Sequence, residues 1–146
     1  MVRRGRRRAQ DRSQGAKYYR VARALRESAT DLLEVADEDS SYGNAIAIVA
    51  IHSAIAYTDA LTIAYGGFKS IEGDHTRAVY ALQEAMGARV DPRRSKLLLA
   101  IIKEKDTVSY QGVYYSLDDA RSLIERLNEF AEWAEGEYER RPYANY

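Results

Sequence analysis

Apolar residues recur at spacings of three and four along most of this chain, and the pattern predicts five helices. Tyr18, Val21, Ala22, Leu25, Ala29, Leu32, Leu33 and Ala36 form one face of a first helix over residues 16–35. The acids Asp37-Glu38-Asp39 then oppose the negative end of the helix dipole and help to stop it. A second helix, 44–65, is apolar almost all round (Ala45-Ile46-Ala47-Ile48-Val49-Ala50-Ile51), which marks it as the central, most buried element. Gly66-Gly67 closes it, glycine being favoured just past a helix C-terminus.

Asp74 is the expected N-cap of a third helix ending near Met86 and Gly87, with Ala78, Val79, Leu82 and Ala85 turned inward. Asp91-Pro92, a cap followed by proline at the first helical position, opens a fourth helix through Lys103 or beyond. After the aromatic loop Gln111-Gly112-Val113-Tyr114-Tyr115, Ser116 and Asp119 have the spacing of a capping box. Ala120, Leu123, Ile124, Leu127, Phe130, Ala131, Ala134 and Tyr138 then line a last long helix, with Trp133 on the border of that face. Five helices joined by short connections predict an all-α, antiparallel four- to five-helix up-and-down bundle. The expected divisions are a basic, disordered arm at 1–15, a single bundle at 16–140, and a tail at 141–146.

Composition narrows the chemistry. A chain of 146 residues, 46% apolar and 30% charged, is one globular domain in size and character. It contains no cysteine, which removes disulfides, thiol nucleophiles and cysteine-ligated zinc. The apolar stretch 45–65 carries His52 and Asp59, and an ionised carboxylate at a bilayer centre costs about 2.5 kcal/mol or more, so a core helix is expected. With no stretch of signal-peptide type, a cytoplasmic protein is expected. Net charge is zero, yet the first 26 residues hold ten cations against the single acid Asp11. That segment therefore carries +9 and the remainder −9. Arg3-Arg4-Gly5-Arg6-Arg7-Arg8 reads as a phosphate-binding arm or as a solvated terminus.

The densest polar chemistry is Lys105-Asp106-Thr107-Val108-Ser109-Tyr110, directly after the apolar run 97–102. A cation, a carboxylate, two hydroxyls and a phenol on adjacent turns could converge on one bound group, with Lys105, Ser109 and Tyr110 nearest to each other. Lys103 and Tyr114 flank them, and tyrosines beside lysines suit base stacking as well as they suit an apolar lid. His52 and Asp59, two turns apart on nearly the same face, read either as a polar pair at a cleft or as a satisfied core histidine with an acid. Glu72 and His75 have a Glu-x-x-His spacing, but it straddles a helix start and has no second copy, so no metal is expected. No cofactor is implied either. Arg93, Arg94 and Lys96 sit at a helix N-terminus, where cations are unfavourable, so an external phosphate or acid is one reading and exposed surface the other.

These passages together resemble the HEPN superfamily of helical bundles. Ile51-His52-Ser53-Ala54-Ile55-Ala56-Tyr57-Thr58-Asp59-Ala60-Leu61 is similar to that family's alanine-rich core helix. Gly67-Phe68-Lys69-Ser70 leading to Asp74-His75 is similar to its loop into the third helix, and Ser116-Leu117-Asp118-Asp119-Ala120 to the entry of its last. Lys105-Asp106 followed by Tyr110 falls where the family commonly has arginine, a polar residue, then histidine or tyrosine. The resemblance spans roughly residues 16–140 and implies a range of activities. Many members are metal-independent ribonucleases, often toxins held by a nucleotidyltransferase-like antitoxin. They commonly form homodimers, with two motifs facing one cleft.

Other members bind or scaffold without catalysis. This chain departs from the ribonuclease pattern at two points. Lysine cannot make the bidentate phosphate contact of arginine, and a phenol is a poorer base than imidazole at neutral pH. The resemblance thus implies Lys105, Asp106 and Tyr110 as catalytic candidates, with Lys103, Ser109, Tyr114, His52 and Asp59 as contacts to RNA or a nucleotide. The alternative is a non-catalytic homodimeric interaction or scaffold module.

Overall fold

The structure, a computed structural model, describes residues 7–37, 42–71, 76–109 and 113–142. Among these, five helices dominate: α1 (Gly15–Val35), α2 (Tyr42–Gly66), α3 (Thr76–Met86), α4 (Pro92–Ser109) and α5 (Leu117–Glu139). Two three-residue strands, β1 (Arg7–Ala9) and β2 (Phe68–Ser70), pair antiparallel with Arg8 opposite Lys69. The chain is all-α apart from this small ribbon.

The centre is α2. Ile46, Ile51, Tyr57, Leu61 and Ile63 on it are almost wholly buried, as are Ser53 and Thr58. The two hydroxyls are satisfied locally: Ser53 donates to the Ala22 carbonyl at 2.7 Å and Thr58 to Ala54 at 2.8 Å. By length and composition α2 could span a membrane, but 67% of its apolar window is buried by the rest of the bundle.

α1 runs antiparallel to α2 and very close to it. Gly15, Ala22 and Ala29, spaced by seven, are its fully buried positions. A Cβ at Gly15 would sit 2.9 Å from the Ala60 carbonyl oxygen, so only glycine admits this approach. α5 covers another flank through Leu123, Leu127, Phe130 and Ala134, all fully buried. It runs parallel to α2, since Asn44 meets Tyr115 at one end and Tyr65 meets Glu137 at the other.

Strict up-and-down alternation is broken once. Gly66 at the end of α2 abuts Ala85 at the end of α3, so the connection containing β2 doubles back before α3 begins. Gly67 (φ 71°) makes the turn that starts this return.

The expected caps form. The Arg94 amide donates to the Asp91 carboxylate at 2.9 Å, with Pro92 as the first helical residue. Ser116 and Asp119 make both bonds of the capping box. The expected cap Asp74 lies outside the described residues.

The arm differs from expectation. From Arg7 onward it is structured: Arg7 lies 4.1 Å over the Phe68 ring and pairs with Glu84. Arg12 donates to the carbonyls of Ala64 (3.2 Å) and Tyr65 (2.5 Å), so its cation caps the C-terminus of α2. The arm has no apolar pattern to order it, yet Arg12 satisfies a helix end and Arg7 stacks on an aromatic ring. Residues 1–6 and 143–146 lie outside the described residues.

Asn44 fixes the end of the bundle that carries the polar motif. Its amide donates to the carbonyls of Val108 (3.2 Å) and Val113 (2.8 Å), and its oxygen accepts from the Tyr115 amide (3.0 Å). Both edges of the α4–α5 loop are thereby tied to the first turn of α2. Asn44→Ala should lower unfolding stability by about 2 kcal/mol, the loss expected for three bonds at a partly buried site. An unchanged midpoint in urea denaturation would contradict this role for the clamp.

Candidate functional site

Helix phase separates the residues of the polar motif. The buried face of α4 is Leu98, Ile101, Ile102 and Val108, and Lys105 falls in the middle of that face. Lys105 is therefore half-buried and directed toward α2, where its charge acts on His52. Ser109 lies about 40° from it and is exposed. Asp106 lies about 100° away and is also exposed. Lys103 is on the opposite side of the helix, lining a shallow groove of about 350 Å3 with Val79, Tyr80 and Leu99. Tyr110 lies outside the described residues. Tyr114 is 62% exposed, whereas Tyr115 is buried beneath it, so only the second closes the bundle end.

His52 is exposed, which corrects the reading of it as a satisfied core histidine. Partial burial of the imidazole, reinforced by the positive charge of Lys105, holds its pKa below the ordinary 6.5. Both effects favour the neutral ring, in which one nitrogen is an acceptor.

His52 and Asp59 do not pair. Seven residues separate them by about 10 Å along the axis, and Asp59 has a different partner. The Lys69 ammonium of β2 stands 4.0 Å from the Asp59 carboxylate and 5.5 Å above the Tyr18 ring. Burial pushes the Asp59 pKa up to about 6, with Lys69 only partly offsetting it. Arg93 and Arg94 are also accounted for internally, Arg93 by Glu129 of α5 and Arg94 by Asp91. Glu72 and His75 lie outside the described residues. Among the described residues, no three carboxylate or imidazole groups gather as a metal site would require.

A second polar region, a cleft, was not anticipated. Between α1 and α5 a cavity of about 630 Å3 is lined by Arg20, Arg23, Arg26, Tyr57, Asn128 and Glu135, among others. Its floor is a connected polar network. The Tyr57 hydroxyl donates to Glu135 Oε2 at 2.5 Å, and Arg26 donates to the same oxygen at 3.1 Å and to Asn128 Oδ1 at 2.9 Å. Burial first, then the Glu135 carboxylate, drive the Tyr57 phenol far above its usual pKa, so it stays a hydrogen-bond donor. Tyr19 walls the network off from the bundle end, stacked on Tyr138 (3.9 Å between centroids) and edge-on to Tyr57 (6.1 Å). The one sequence signal for this cleft was the recurrence of arginine every third residue along α1, which read as net charge.

Compared with models of protein families, with characterised proteins and with solved structures, the chain gives no significant match.

Asp59 supplies a pH test of the buried end of this surface. Its native pKa is raised from 3.8 to about 6, so the native fold prefers the protonated acid and loses stability as pH rises through that interval. Asp59→Asn should therefore be near neutral at pH 3 and stabilise at pH 7.5 by on the order of 3 kcal/mol. Thermal melts at the two pH values that show no such difference would contradict the burial penalty.

Proposed function

We propose that this chain is a HEPN-like bundle that binds RNA or a nucleotide at the surface where α2 and α4 meet. The observation that carries the reading is that Lys105 lies on the buried face of α4, from where its charge acts on His52 of α2. This chain has no histidine in the stretch after Lys105, and α2 carries one, His52. A neutral imidazole is matched to proton abstraction near pH 7, and an ammonium to a phosphate oxygen.

The chemistry this pair could serve is metal-independent cleavage of RNA. His52 would take the proton of a 2′-hydroxyl as that oxygen attacks phosphorus. Lys105 would hold the charge on the phosphoryl oxygens while the P–O5′ bond breaks, leaving a 2′,3′-cyclic phosphate. Tyr110, the third residue of the motif, would give a proton to the leaving 5′-oxygen. Asp106 and Ser109, exposed one turn away, would contact neighbouring groups of the RNA. Such a protein would act in the cytoplasm, and in a toxin–antitoxin pair a nucleotidyltransferase-like protein would cover the same surface.

Cleavage of single-stranded RNA by the purified intact chain tests this reading. Lys105→Ala and His52→Ala should each lower the rate by about a hundredfold or more, as expected for loss of a general base or of charge stabilisation. Cleavage that is absent from the intact chain, or equal in the variants, would remove the nuclease and leave the binding role.

A second reading, a non-catalytic homodimeric module, is favoured by a different observation. Tyr18, Val21, Leu25, Ser28, Leu32 and Val35 repeat at three and four along the side of α1 turned away from α5, and Val21 and Val35 are 52% and 77% exposed. His52 is on the corresponding side of α2, about 140° from the α5-facing Tyr57. A second copy seated on this seam would bring both His52 surfaces to one interface. Light scattering at micromolar concentration should then give twice the chain mass, and Leu25→Glu should return it to 16.5 kDa. A monomer mass for the intact chain would exclude this arrangement.

A further inference from the structure

The α1–α5 cleft is built differently from every other contact of α1. Where α1 comes closest to α2 the contact is made by Gly15, Ala22 and Ala29 with the buried Ser53; where it meets α5 a guanidinium, an amide, a carboxylate and a phenol span the gap. Such a network gives a fold no more stability than packed hydrocarbon of the same volume. The phenol belongs to Tyr57, among the largest fully buried side chains in the molecule, whose hydroxyl ends at the cleft floor.

The network leaves specific capacity unused. Asn128 accepts from Arg26 with its oxygen, so its amide nitrogen remains a donor toward the cleft. Glu135 receives both of its bonds on Oε2. On the α1 lip, Arg20 has no carboxylate partner among the described residues, and Arg23 rests only on the Tyr19 ring, 5.7 Å from its centroid. Further along the same lip come Glu27 and Asp31. The cleft is therefore polarised: two open guanidinium groups at one end, carboxylates at the other, and a donor and an acceptor on the floor between.

We infer that this cleft binds a nucleoside monophosphate whose base presents amino donors, with the phosphate on Arg20 and Arg23 and the base edge on Glu27 or Asp31. Guanidinium groups hold phosphate oxygens through paired, charge-assisted bonds. A carboxylate accepts two parallel N–H bonds, which the N1–H and 2-amino groups of guanine provide. Arg23 and Glu27 stand one turn apart and Arg20 and Asp31 about three, a span that a mononucleotide covers. A volume of about 630 Å3 is within the range of small-molecule pockets. This site lies across α1 from the α2–α4 surface and does not depend on the reading given for it.

Titration of the intact chain with guanosine monophosphate, guanosine and inorganic phosphate, followed by amide chemical shifts and calorimetry, tests the inference. Guanosine monophosphate should saturate, with shifts confined to α1 and α5, and should bind at least about tenfold more tightly than guanosine or phosphate alone, since each holds one end only. Arg20→Ala with Arg23→Ala should weaken it about tenfold or more, and Asp31→Asn with Glu27→Gln should erase the preference for guanosine monophosphate over uridine monophosphate. Arg121→Ala, on an exposed surface outside the cleft, should leave this binding unchanged. The inference is overturned by the absence of saturable binding, by shifts centred on His52 and Lys105, or by arginine variants that bind as the intact chain does. Unchanged melting temperatures of the variants exclude unfolding as the cause of lost binding.

Discussion

The close antiparallel contact of α1 with α2 is the constraint from which the remaining geometry follows. An apolar helix of 25 residues has to be covered on most sides, and the fully covered positions of α1 against it are glycine and alanine. Backbones that approach this closely leave little freedom of rotation. The Gly15–Ala60 approach and the Ser53 bond to the Ala22 carbonyl fix which residue of α2 points where. With Ser53 turned to α1, Tyr57 must face α5 and His52 must face outward beside α4.

That rotation distributes the polar chemistry into two separate places. On one side Lys105 sits at the centre of the buried face of α4, half-covered and influencing an exposed imidazole. On the other, Arg26, Tyr57, Asn128 and Glu135 make a polar junction across three helices. The bundle is held closed elsewhere, by Asn44 at the α4–α5 loop and by Arg12 at the carbonyl end of α2.

The helices were legible in the sequence because apolar periodicity and caps act locally. Asp91-Pro92 and Ser116 with Asp119 need nothing beyond their own turn, and each does what its spacing suggests. The β1–β2 ribbon was not legible. Arg7–Ala9 has neither alternation nor length, and what holds it comes from Phe68 and Glu84, more than sixty residues away. Helical phase also misled where a partner came from another element. His52 and Asp59 share a stripe, but Lys69 reaches Asp59 from β2 and Lys105 acts on His52 from α4. Lys103 and Lys105, adjacent in the motif, went to opposite sides of one helix. The arginine cleft was visible only as charge, since its acid, amide and phenol lie on two other helices.

The rotation of α2, and with it the meeting of α2 and α4, can be read from one titration. The chain has two histidines, so the imidazole resonance of His52 can be assigned with a single substitution. If His52 stands partly covered beside Lys105, it titrates below 6.5 in the intact chain and moves upward in Lys105→Met. A His52 that titrates at the ordinary value and ignores the substitution at 105 would contradict the orientation of α2 on which the account rests.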